Sequence, residues 1–291
     1  AGSVELFEQL VSSGSPTYAE LARFGLGSAY FKTKNYATSE KLLDQFVRDF
    51  PRSTRRDEAS YLLSQVRLQS GKKDEATAIL RQLVDSPTVG DQASLSLART
   101  LSESGRADEA AETVQAALKL FPHSSLRADL QLELGLTELN ANRYDRAAAN
   151  FSEFLASQRR DAPGVDRATY LLAYTSHRHG RHDESLEQCR EFRAHHANSR
   201  FLSDVIRLEA ENHFATANYP AAVEAYKSWL IQVGTDESQH EAVARAHMRI
   251  AQAMYLSERY TEASEHLESN APPRATTDLL LLSYDYYRGD C

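Results

Sequence analysis

Leu26 to Pro51 reads LGSAYFKTKNYATSEKLLDQFVRDFP. At its centre the turn Lys34-Asn35-Tyr36 separates two stretches whose apolar residues recur every three and four positions, the spacing of one buried helix face. Gly27, seven residues before the turn, and Ser39, five after it, are small enough to let two helix backbones approach closely. Leu43 and Phe46 follow on the same face as Ser39. The second stretch stops at Phe50-Pro51, because proline has no amide to donate and disfavours helix in the residue before it. The unit is a helix hairpin.

The same signature recurs along the chain. Its turns begin at Lys34, Gly71, Gly105, Asn142, Gly180, Ala217 and Glu258, with spacings of 37, 34, 37, 38, 37 and 41 residues. The small residue before each turn is Gly27, Ser64, Ala98, Gly135, Ala173, Ala210 or Ala251; the one after it is Ser39, Ala76, Ala110, Ala147, Ser185, Ala222 or Ala263. Nine residues past the turn stand Leu43, Leu80, Val114, Phe151, Cys189, Tyr226 and Leu267. Asp74, Asp108, Asp145 and Asp183 follow their turns, where a carboxylate can cap free amides and favour the positive helix end, and Pro220 holds that place as a first helical residue. Alternation of the strand kind is absent.

Self-similarity at this period resembles the tetratricopeptide repeat, a helix-turn-helix unit of 34 residues with Leu-Gly in its first helix and Ala, Phe and Pro landmarks in its second. Leu26-Gly27, Tyr30, Ser39, Leu43, Phe46 and Pro51 carry the likeness best. The early tryptophan of the family is missing, and the period is longer. The resemblance implies an all-α fold, a right-handed α-solenoid of about seven hairpins. These occupy residues 17–53, 54–88, 89–124, 125–162, 163–199, 200–236 and 237–273, with half repeats at 3–13 and 275–291, in one domain spanning 1–291. The endings Phe50-Pro51-Arg52-Ser53 and Phe121-Pro122-His123-Ser124 look like the bacterial envelope branch, which includes the lipoprotein of the outer-membrane barrel assembly machine and the periplasmic partner of Tol-Pal. A periplasmic or envelope-associated location follows as an expectation, with a cytoplasmic one as the alternative.

In this family the first helices line a concave groove that binds peptides. Carried over position by position, the groove comprises Phe24, Ser28, Phe31, Tyr61, Gln65, Leu68, Leu95, Arg99, Leu132, Leu136 and Leu139 in the first four repeats. Later repeats add Tyr170, Tyr174, His177, Arg178, Arg207, Phe214, Met248 and Tyr255. Chaperone-tail clamps use a lysine and an asparagine where this chain has Phe24 and Ser28, or Tyr61 and Gln65, so chaperone C-termini are not the expected ligands.

Five of the ten histidines lie between residues 177 and 196. His195 and His196 stand about a helix length, roughly 20 Å, from the others, so only His177, His179 and His182 could converge as metal ligands. Solvated turn histidines are the favoured reading, and no metal or other cofactor is expected. Glycine-rich phosphate loops, HExxH and GxSxG are absent, and the pairs Asp74-Glu75 and Asp183-Glu184 fall at helix starts. Cys189 takes a core position and reads as an inert thiol; Cys291, several helices away, is out of its disulfide reach.

Composition is that of a chain that folds: 42% hydrophobic, 25% charged, with 12 glycines and 8 prolines among 291 residues. A net charge of −8 repels nucleic acid. The longest aliphatic run, Leu279 to Leu282, is far short of the roughly 18 residues of a membrane-spanning helix. The expected function is a non-enzymatic scaffold that holds a protein or peptide in its groove, in a cell-envelope complex. The alternative is a docking, regulatory or self-assembling region of a larger, enzymatic protein. Val4 to Val11 reads as a second helix without its first, and Thr277 to Arg288 as a first without its second. Because an open solenoid end exposes its stacking face, self-association through the ends is possible, and the native protein is expected to continue beyond one or both of them. An endogenous protein with a mass close to 32.6 kDa would contradict that continuation.

Overall fold

The computed structural model describes residues 2–12, 16–234 and 239–270. Among them are fifteen α-helices and no strand, and none of the helices is long and apolar enough to cross a membrane. The half repeat expected at 275–291 and Cys291 lie outside the described residues. The chain forms two compact units, Ala1–Arg146 and Ala147–Cys291.

The first unit opens with α1 (Gly2–Ser12), the half repeat expected at this end, packed on α2 (Pro16–Lys32). Hairpins α2/α3 (Tyr36–Asp49), α4 (Arg56–Gln69)/α5 (Lys73–Leu83) and α6 (Gly90–Glu103)/α7 (Ala107–Leu120) follow, then α8 (Arg127–Asn140). Helix α9 (Tyr144–Ser157) begins in this unit and ends in the second. There α10 (Val165–Arg178)/α11 (His182–His195), α12 (Leu202–Ala215)/α13 (Tyr219–Val233) and α14 (His240–Leu256)/α15 (Tyr260–Ser269) repeat the hairpin. Within the first unit each helix from α1 to α8 packs on the next, and within the second each from α10 to α15 does; first helices also touch the first helix of the following repeat, as in α2 on α4, α6 on α8 and α10 on α12. That is α-solenoid packing, built from neighbours alone.

One backbone device closes all seven hairpins. The first residue of every turn has positive φ, between 57° and 79° at Lys34, Gly71, Gly105, Asn142, Gly180, Ala217 and Glu258. Its amide bonds the carbonyl three residues back, and the next amide reaches five back: Lys34 to Phe31 and Asn35 to Tyr30, Gly105 to Ser102 and Arg106 to Leu101, Ala217 to Phe214 and Asn218 to His213. This paired pattern satisfies carbonyls that the helix end would leave open. Three turns use glycine there; Lys34, Ala217 and Glu258 adopt the left-handed conformation against the steric preference of a side chain.

Beyond the turn, the small residues meet. A Cβ added to Gly27 would stand 2.9 Å from the Leu43 side chain. Where the second small residue is serine, its hydroxyl donates across the hairpin to the backbone of the first: Ser39 to the Gly27 carbonyl at 2.8 Å, Ser185 to that of Ala173 at 2.7 Å. Leu43, Leu80, Val114, Phe151, Cys189, Tyr226 and Leu267 are all buried, each with 1% exposure or less. Helix starts depart from expectation. The N-caps Lys72, Arg106 and Arg181 make no side-chain cap bond, and Asp74, Asp108 and Asp183 stand second in their helices, where their charge acts on the helix dipole. Pro220 is likewise second rather than first in its helix.

Consecutive repeats share a second device. The hydroxyl of a serine in the loop between repeats donates to a carboxylate in the first helix of the preceding repeat: Ser53 to Glu20, Ser86 to Asp57, Ser124 to Asp91 and Ser199 to Asp166, the last three at 2.5–2.7 Å. The same oxygen accepts the amide two residues on, from Arg55, Thr88, Leu126 and Phe201. Serine in the Phe-Pro-x-Ser endings therefore has a structural task.

An added Cβ at Gly105 meets nothing within 4 Å, so the cost of Gly105→Ala is conformational alone. Denaturant unfolding should show it lowering stability by about 1 kcal/mol, and Ala217→Gly raising it by a similar amount. Opposite signs would mean that the turn does not hold its left-handed residue in solution.

Candidate functional site

The groove positions lie on first helices, at or beside the contacts between repeats. In the first unit the Phe24 ring packs on Phe46 with centroids 5.7 Å apart, and the Arg55 guanidinium stands 5.3 Å over the Phe24 ring. Tyr61 Oη and Gln65 Nε2 both reach Ser96 Oγ on the next first helix, at 3.2 and 3.1 Å. Arg99 Nε donates to Glu133 Oε2 at 2.9 Å, again from one first helix to the next. Ser28, Phe31, Tyr61, Gln65, Leu68 and Leu136 are half-buried, and Arg99 is exposed. Leu95, Leu132 and Leu139 are buried, so these three serve packing.

In the second unit Tyr170 stacks on Phe201, with centroids 5.4 Å apart and planes 11° apart, and lies 6.2 Å from Tyr174. Burial pushes the Tyr170 hydroxyl up to about 12, so it stays protonated and able to donate. Arg178 lies over the Tyr174 ring and donates to its hydroxyl at 3.1 Å. Arg249 lies 4.6 Å over the Phe214 ring. Arg178 and Arg207 are exposed, Phe214 and Tyr255 half-buried, and Met248 buried.

Positions three residues before the turn have partners that the sequence did not announce. Phe31 meets Tyr36, His177 meets His182, Phe214 meets Tyr219 and Tyr255 meets Tyr260, with centroids 5.2–6.0 Å apart. Each partner stands two residues after the turn, so the pair spans its own hairpin. These rings are pinned in place, which presents them as rigid surface.

The histidines differ from expectation most. His177 and His182 are half-buried rather than solvated, and both Nδ1 atoms reach Oδ1 of the fully buried Asn212, at 2.8 and 3.0 Å. An amide oxygen only accepts, so both imidazoles carry their proton on Nδ1. Asn212 Nδ2 completes the hub by donating to Ser185 Oγ at 2.7 Å. His179 is instead the C-cap of α10. Among the described residues no group of three or more His, Cys, Asp and Glu side chains is gathered as a metal site. Cys189 is buried, and its thiol is pushed up to about 12 by desolvation, far from a nucleophile's range.

A second histidine pair joins α14 to α15, His247 Nδ1 lying 3.1 Å from His266 Nε2. Burial lowers both, and the neighbouring His247 and Lys227 help bring His266 to about 4.

The sequence profile of the tetratricopeptide repeat matches residues 61–125 and 132–199, and a second profile of that repeat matches residues 21–53. No curated protein matches the chain. A tetratricopeptide repeat protein from Parabacteroides merdae is 14% identical over 96% of this chain and 98% of its own, with a TM-score of 0.61. The C-terminal part of a repeat-containing protein from Cytophaga hutchinsonii is 12% identical over 89% and 98%, with a TM-score of 0.70. PilF from Pseudomonas aeruginosa is 18% identical over 81% and 97%, with a TM-score of 0.56. At such identities the likeness is one of fold.

Because the folded His266 titrates below the ordinary histidine value near 6.5, its stabilising effect is complete above that value and is lost as pH falls toward 4. Urea unfolding at pH 7.5 and 5.0 should show His266→Gln losing less stability than the parent, by about 1 kcal/mol after allowance for the pair's partial exposure. Equal losses would mean that the pair is solvated.

Proposed function

Because the chain belongs to the tetratricopeptide repeat family, whose members are generally protein-binding scaffolds, we propose that it is a non-enzymatic scaffold that holds a protein or peptide against its first-helix face. The observation that carries this reading is the arrangement on α10, where Tyr170 and Tyr174 are half-buried and held by Phe201 and Arg178. Tyrosine and arginine are enriched among residues that dominate binding energy, and rings already fixed by packing lose little freedom on binding. Arg207 on α12 pairs with Asp204, and Arg249 over Phe214 with Glu211, so these cations fix the local surface and the rings are what it offers an aromatic partner.

An envelope complex is the proposed setting. It rests on the likeness of the Phe-Pro-x-Ser endings to the envelope branch, although the bonds of Ser53 and Ser124 also give those endings a packing role. The identity of a captured partner would supply the compartment.

Affinity capture with the chain and with a Tyr174→Ala/Arg178→Ala variant, matched for helicity and melting, tests the surface. At least a tenfold loss of one partner in the variant is expected. Equal capture by both forms would move the binding surface elsewhere.

A further inference from the structure

A different surface of the first unit carries a pocket that the groove reading does not use. Helix α5 has 11 residues and ends at Leu83, whereas α3 and α7 have 14 each. The last turn of α7 therefore faces Val84 and Asp85, beyond the end of α5, instead of another helical turn. The gap is a cavity of about 290 Å³. Its floor is Leu97 and Leu101 of α6, with Ala116, Ala117 and Leu120 of α7 along one wall. Leu97 and Leu101 stand nearly half a turn around the helix from the groove positions Leu95 and Arg99. Leu120 keeps 52% of its surface exposed, unusual for a leucine beside an apolar hollow.

The rim is acidic. Asp85, Glu109 and Glu112 stand there; Glu109 is held by two cations, Arg81 at 2.7 Å and Arg106 at 2.5 Å, and the other two carboxylates carry the rim's uncompensated charge. Among the described residues Asp85 and Glu112 take part in no ion pair, and both are exposed. An apolar hollow with unneutralised carboxylates at its mouth selects for apolar bulk and positive charge together.

We propose that this pocket is a second docking surface, separate from the first-helix face, for a protein segment that carries a large apolar side chain between basic residues. The apolar side chain fills the space left by the short α5, against Leu97, Leu101 and Leu120. Lysine or arginine on either side pairs with Asp85 and Glu112. A scaffold of this kind holds two partners at once, one on each face.

The test titrates the peptide Ac-Lys-Arg-Phe-Leu-Lys-Lys-NH2 into the chain and follows the methyl resonances of Val84, Leu97, Leu101 and Leu120. Saturable shifts are expected. Binding should weaken at least tenfold when serines replace Phe-Leu, when acidic residues replace the basic ones, and in the pocket-filling variant Ala116→Trp. Glu112→Lys should weaken it at least threefold, and Tyr174→Ala/Arg178→Ala should leave it unchanged, which separates this site from the groove. If Ala116→Trp fails to fold, Leu120→Ser replaces it. No saturable shift at millimolar peptide, undiminished binding to the filled pocket, or loss in the groove variant would each overturn the proposal. So would equally tight binding of the neutral probe N-acetylphenylalanine amide, which would assign the pocket to a small apolar ligand.

Discussion

Each hairpin depends on one residue that leaves the helix with positive φ. With that residue in place, two amides return to the end of the first helix and the chain reverses within three residues. The reversal brings Gly27 against Leu43 and Ser39, and Ala173 against Ser185, close enough for side chain to reach backbone. Large apolar residues nine positions on then have no direction to point except inward. The core follows from the turn, and the turn from local backbone chemistry.

Stacking is governed separately. The loop serines at 53, 86, 124 and 199 bind a carboxylate of the preceding repeat with the hydroxyl hydrogen and an amide of their own loop with the oxygen. A single side chain so fixes both the shape of a loop and its position on its neighbour. Where the second helix before such a loop is shorter, as in α5, the stack is kept and the deficit becomes a hollow.

Local features were legible in the sequence and distant partners were not. Small residues on either side of the turn and the apolar residue nine beyond it could be placed because their spacing within one hairpin is constant. Lys34, Ala217 and Glu258 gave no sign of positive φ, since only glycine advertises it. Phe31, Phe214 and Tyr255 were assigned to the groove by family position, while the tyrosines that hold them stand across the turn. Solvation was expected for His177 and His182 because a turn is normally exposed; Asn212, thirty or more residues away, covers them. The shortness of α5 did leave a trace, for the interval from Gly71 to Gly105 is the smallest of the series.

The hub around Asn212 bears on a hazard peculiar to chains made of look-alike parts. Similar hairpins offer similar apolar faces, so during folding a first helix can settle on the wrong neighbour at little loss of apolar contact. A buried amide changes that account. Against any hairpin but α10/α11, Asn212 would lack the two imidazoles and the Ser185 hydroxyl, and would be left with unmet hydrogen-bonding groups in a dry interior. The cluster thus acts as an address, marking which two hairpins belong together in a stack whose other contacts are largely interchangeable.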